Sequence, residues 1–110
     1  MALMPAYQDT VLTTSAQVVV PSATLTNVTI LKASVANIDT ANAHVVTVYR
    51  VPVGASIANS YIIVPPLVIP ANSEYSLDIS GQNVNSGSTI QALAESNSVL
   101  NFNASFAIQS

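Results

Sequence analysis

One histidine, His44, and five carboxylates, Asp9, Asp39, Glu74, Asp78 and Glu95, are all the chain offers for acid/base or metal chemistry near neutral pH. Imidazole titrates near neutrality and binds transition metals, so His44 could act as a general base or a ligand. It has no second histidine at HxH or HxxxH spacing, and no acidic cluster accompanies it in sequence. It is expected to be a solvent-facing or interface residue. Glu74 and Asp78 share a face of an expected strand but lie about 13 Å apart at about 3.3 Å per residue, too far to work on one bond unaided. Asp39 at a turn and Asp78 near Gly81 could lend oxygens to calcium, which requires several such groups in one loop, and the sequence concentrates none. There is no Gly-rich phosphate loop, no Gly-x-Ser-x-Gly turn and no cysteine. The expectation is therefore no catalytic, cofactor-binding or metal residues, and no enzymatic activity.

The scarcity of charge extends to the whole chain. Of 110 residues only 6% are Asp, Glu, Lys or Arg, while 50% are hydrophobic. Soluble domains carry about 25% charged residues. Depletion of charge with abundant Val, Ile, Ala, Asn, Ser and Thr suits a surface that meets other protein, because burying an unpaired charge is costly. A net charge of −3 with only two basic residues argues against nucleic acid as a partner. The amino terminus lacks the basic region and long apolar run of a secretory signal, so the chain reads as mature. The longest uncharged stretch, residues 51–73, is broken by Pro52, Pro65, Pro66 and Pro70, and no membrane span is expected.

The elements that must position these groups read as strands. Leu100, Phe102, Ala104, Phe106 and Ile108 alternate with Asn101, Asn103, Ser105 and Gln109, the period of a strand with one buried face. Tyr75, Leu77 and Ile79 share a face opposite Glu74, Ser76 and Asp78, which places Tyr75 in the core. Residues 25–38 form a long strand apolar on both sides: Leu31, Ala33 and Val35 against Val28, Ile30 and Ile38. After the polar turn 39–42, residues 43–51 return as the second arm of a hairpin-like pair. Tyr61 to Val64 form a short strand closed by Pro65 and Pro66, with a separate segment at 67–69. Residues 81–87 hold the Gly and Asn that turns need, and 88–94 follow as a strand. Turn signals about every ten residues give seven to eight strands in an all-β fold, an antiparallel β-sandwich or jelly roll. Residues 10–110 form one domain, and residues 1–9 are an N-terminal arm or a frayed terminus. The sequons at Asn27 and Asn103 are attributed to chance in an Asn/Ser/Thr-rich chain. The candidate interface residues are Met4, Pro5 and Tyr7 in the arm and Tyr61, Ile62 and Ile63 beside a loop; the tyrosines are the large amphipathic side chains suited to contact.

Four stretches also carry a resemblance: Asn37-Ile38-Asp39-Thr40; Val45-Val46-Thr47-Val48-Tyr49-Arg50-Val51-Pro52 running into Gly54-Ala55-Ser56; Ile69-Pro70-Ala71-Asn72-Ser73-Glu74-Tyr75; and Gly87-Ser88-Thr89-Ile90-Gln91-Ala92. Their order resembles small virion proteins of tailed bacteriophages over about residues 25–108, with Ser88 where that family often has an acid. The resemblance implies a non-enzymatic β-sandwich module that decorates or cements a capsid. It would act as a homo-oligomer, for instance a trimer, in contact with the major capsid protein or other virion proteins. Its place would be the virion, after synthesis in the host cytoplasm, without cofactor, nucleic acid or membrane. The alternative is a carbohydrate- or receptor-binding module of a tail or fibre, using exposed Tyr and Asn-rich loops.

Overall fold

A computed structural model describes residues 3–20, 27–81, 83–84 and 87–109; the side chains of residues 3–5, 27 and 109 lie outside that description. Among the described residues nine strands follow in order: β1 (Leu3–Val11), β2 (Gln17–Val20), β3 (Asn27–Asn37), β4 (His44–Val51), β5 (Ile62–Ile69), β6 (Glu74–Leu77), β7 (Asn83–Val84), β8 (Thr89–Ala94) and β9 (Leu100–Gln109). A 3₁₀ turn at Asn59–Tyr61 precedes β5. The strands form two antiparallel sheets, β1-β9-β3-β6 with β7 also pairing β3, and β2-β8-β4-β5. The expected all-β sandwich is therefore present, with nine strands rather than seven to eight. The additions have physical causes: β7 is a two-residue pairing within the 81–87 turn region, and β1 begins well before residue 10. From Leu3 onward, the segment read as an arm or frayed end pairs continuously with β9, from Leu3 opposite Gln109 to Val11 opposite Asn101. Among the described residues, no helix is long and apolar enough to cross a membrane.

Period-two patterning builds the core. On β9, Leu100, Phe102, Ala104 and Phe106 are buried and Ser105 is exposed, as the alternation required. They meet Val28, Ile30, Ala33 and Val35 of β3 and, from the facing sheet, Val46 and Val48 of β4 with Ile90, Ala92 and Ala94 of β8. β3 keeps its inner face apolar through a bulge: the register with β9 shifts between Ile30 and Lys32, and Leu31 and Lys32 both point outward. That shift corrects the expected grouping, because Leu31 leaves the set containing Ala33 and Val35, while Val28 and Ile30 join it.

Two further expectations are corrected. β3 and β4 do not form a hairpin; they lie in opposite sheets. Both have apolar inner faces, and crossing between sheets lets those faces meet instead of lying side by side. The segments 61–64 and 67–69 merge into one strand, β5, which starts at Ile62, after Tyr61 has closed the 3₁₀ turn, and runs through Pro65 and Pro66. β5 is an edge strand with register shifts against β4, the setting in which proline's missing N–H is tolerated. Tyr75 is not core: it is 41% exposed on the short edge strand β6, although Leu77 and Ile79 on the same face are buried.

Candidate functional site: a carboxylate–imidazole–carboxylate cluster and the outer sheet surfaces

His44 opens β4 at the end of the sandwich where the turns 38–43, 70–73 and 95–99 gather. The polar turn read in the sequence forms because Asp39 closes it, its Oδ1 accepting from Ala41 N at 2.9 Å and Asn42 N at 3.2 Å. Its Oδ2 lies 2.8 Å from His44 Nε2. On the other side of the ring, His44 Nδ1 stands 2.9 Å from Glu95 Oε1, which also accepts from Val45 N at 3.1 Å. The imidazole thus joins a carboxylate five residues before it to one that the β8–β9 turn delivers. His44 is buried, at 8% exposure, rather than solvent-facing.

Electrostatics follow from this geometry. The hydrogen bond to Asp39 raises the His44 pKa above its ordinary 6.5, with Glu95 adding to the effect and burial opposing it. The Asp39 carboxyl falls well below its ordinary 3.8, chiefly through the His44 bond and then through the Ala41 amide. A neutral imidazole has one donor and one acceptor, whereas carboxylates on both nitrogens call for two donors. The imidazolium fits both. With each nitrogen engaged, the ring has no lone pair directed at a substrate, and the carboxylates lie on opposite sides of it rather than converging with it as metal ligands would. The cluster is suited to holding three chain segments together.

Asn37 strengthens the same end. Only 3% exposed, it donates from Nδ2 to Ile69 O at 2.9 Å, Asn42 O at 3.0 Å and Pro70 O at 3.2 Å, and its Oδ1 accepts from Asp39 N at 2.9 Å. It ties the end of β3 to the end of β5 in the other sheet. Sequence inspection missed both the cluster and Asn37. The spacing from Asp39 to His44 was a visible signal; Glu95, fifty-one residues from His44, carried none.

The expected interface residues divide between two places. Met4 and Pro5 take strand positions opposite Ile108 and Ala107, and their side chains lie outside the described residues. Tyr7, on the same edge strand, is 78% exposed. Tyr61, Ile62 and Ile63 are half-buried and line a shallow groove with Arg50, Pro52 and Ser60 at the far end of β4 from His44. Ile63 also packs against the core. The structure does not bring the two groups together as one patch. Between them, the outer face of β2-β8-β4-β5 presents Val18, 40% exposed, and Val68, 56% exposed. Arg50, opposite Ile90, is the one Asp, Glu, Lys or Arg in those four strands. Glu74 and Asp78 are exposed. Asn103 stands in the central strand β9 rather than a loop, and the Asn27 side chain lies outside the described residues.

No protein-family model matches the chain, and no curated protein does either. Among solved structures it is similar to a chain of the Bacillus endospore appendages, described as a novel family of disulfide-linked pili. The similarity has a TM-score of 0.53 at 13% sequence identity, covering 97% of this chain and 84% of that one. At that identity the likeness is one of fold, a sandwich shared over nearly the full length of this chain.

Proposed function

We propose that the chain is a non-enzymatic structural subunit that works by assembling with copies of itself. The observation that carries this is the outer face of β2-β8-β4-β5, which exposes Val18 and Val68, in four strands whose one Asp, Glu, Lys or Arg is Arg50, at the position opposite Ile90. Such a surface is poorly solvated and gains by contact, at about 25 cal/mol per Å² of apolar area before the cost of association is subtracted. The sequence resemblance directs this subunit to a tailed-phage virion as a capsid decoration or cement protein. The test is sedimentation of the purified protein over a wide concentration range, together with rebinding to capsids that lack it. Oligomers that bind such capsids are expected. A monomer at every concentration that ignores the capsids would end the proposal.

A second location has its own support. The fold is similar to that of a pilus chain, and a sandwich with uncovered sheet surfaces can grow into an open filament when its contacts do not close. Lacking cysteine, this chain would rely on non-covalent contacts alone. Electron microscopy of concentrated protein separates the two: filaments without any capsid favour this location, and closed oligomers favour the virion.

A further inference from the structure

Each sheet has two edges, and three of the four are guarded. β6 and β7 are four and two residues long. β2 is also four residues long, with a register shift against β8. β5 carries Pro65 and Pro66 and shifts register against β4. Short strands, prolines and bulges are the usual means by which an edge avoids pairing. β1 has little of this: nine residues in unbroken register with β9, and one proline near its start.

The backbone groups β1 turns outward follow from that proline. Pro5 has no N–H, so its pairing with Ala107 takes a non-hydrogen-bonded position in the antiparallel ladder, and alternation directs the odd-numbered residues away from β9. Leu12 N donating to Leu100 O at 2.9 Å continues the same alternation just beyond the strand. The N–H groups of Tyr7, Asp9 and Val11 therefore face outward, with the carbonyls of Leu3, Pro5, Tyr7, Asp9 and Val11. The side chains of Tyr7, Asp9 and Val11 stand on the outer face, where Tyr7 and Val11 are exposed large hydrophobics.

Resting on the subunit reading above, we infer that β1 pairs antiparallel with β1 of a second copy, centred on Tyr7, to make one sheet continuous across two subunits. β1 is the edge in this chain that matches β1 in length without an internal proline pair or bulge. A two-fold centred on Tyr7 sets Asp9 opposite Pro5 and Val11 opposite Leu3 of the second copy. Each outward N–H of Tyr7, Asp9 and Val11 then meets a carbonyl, and the missing donor of Pro5 is the one loss on each strand. The two Asp9 carboxylates lie about 13 Å apart along the strand direction at about 3.3 Å per residue, whereas centring on Asp9 would oppose them directly. The two Tyr7 rings become cross-strand neighbours, which removes the most exposed aromatic side chain from water.

The chain's lack of cysteine makes a single introduced thiol a clean probe. Directly opposed residues of a hydrogen-bonded antiparallel pair have Cα atoms about 5.5 Å apart, within disulfide reach. Tyr7→Cys is expected to form a covalent dimer on mild oxidation at concentrations where the wild type associates. Val53→Cys, exposed in a loop, is expected to stay monomeric on a denaturing gel. In the unmodified protein, hydrogen exchange should slow at the amides of Tyr7, Asp9 and Val11 as association proceeds, while Gln8 and Thr10 remain protected throughout. Association without cross-linking and without slowing at those amides would overturn the β1 pairing and leave the subunit reading standing. Slowing without a Tyr7→Cys cross-link would overturn the two-fold, since another segment would then occupy the edge. A wild type that is monomeric at every concentration would instead overturn the subunit reading itself.

Discussion

At the scale of single residues, His44 links protonation to the integrity of one end of the sandwich. Its pKa is raised in the folded chain, so its contribution is fully present below its ordinary 6.5 and is lost as pH rises through the higher folded value. Asp39 is lowered, so its contribution is present above its ordinary 3.8 and is lost as pH falls through the lower folded value. Between these limits both hold. Thermal denaturation should therefore show Tm falling as pH is raised from about 5.5 to about 8.5, and His44→Gln should flatten that slope while lowering Tm most at the acid end. A variant that keeps the wild-type slope would show that another group titrates. Gly87 is a second sensitive position. It has φ +86°, and a Cβ there would lie 2.7 Å from Val53 Cγ2, whereas Gly54 has φ +76° with open space around it. Both alanine variants incur left-handed strain of about 1–2 kcal/mol. Gly87→Ala should unfold at lower denaturant than Gly54→Ala, and Val53→Ala in the Gly87→Ala background should recover only part of the difference, because it removes Cγ2 but leaves the Val53 Cβ, 2.9 Å from the added methyl.

At the scale of elements, apolar inner faces bring β3 and β4 into opposite sheets, and a side chain pins the turn between them. Asn37 donates to the carbonyls of Ile69, Asn42 and Pro70 and accepts from Asp39 N. Asn37→Ala leaves the buried Ile69 carbonyl without this partner, which costs about 1–3 kcal/mol. Urea titration should show the lower midpoint, and hydrogen exchange should localise faster opening to the β3–β4 and β5–β6 turns. β9 was legible from its sequence because Leu100, Phe102, Ala104 and Phe106 alternate without interruption. β3 was only half legible. Its bulge at Leu31 and Lys32 inserts a residue into the period, so an unbroken count assigns Leu31 to the wrong side. β5 was split in two because Pro65 and Pro66 end an interior strand but not an edge strand, and edge status is set by the other strands of the sheet.

At the scale of the whole molecule, neutral surface predicts how association responds to salt. Contacts built from charge weaken as ionic strength rises, because the Debye length shrinks to roughly 3 Å at about 1 M salt. With Arg50 the one Asp, Glu, Lys or Arg in β2, β8, β4 and β5, the His44 ring buried between Asp39 and Glu95, and Asp9 the one such residue in β1, association constants from sedimentation should change little between about 0.05 M and about 1 M sodium chloride. A steep loss of association with salt would point to Lys32, Arg50 and the exposed acids instead. Sulfate should strengthen the same contacts, because excluded salts favour burial of apolar area.

The all-β class, the buried face of β9, the polar turn at Asp39 and the poverty of charge can be read along the chain, since each is written in near neighbours or in composition. The tertiary structure alone decided that β3 and β4 lie in opposite sheets, that Glu95 reaches His44, and that β1 is an edge while β9 is not. Those outcomes depend on which strands pair, and pairing is fixed by the simultaneous burial of many apolar faces. No short stretch of the chain encodes that.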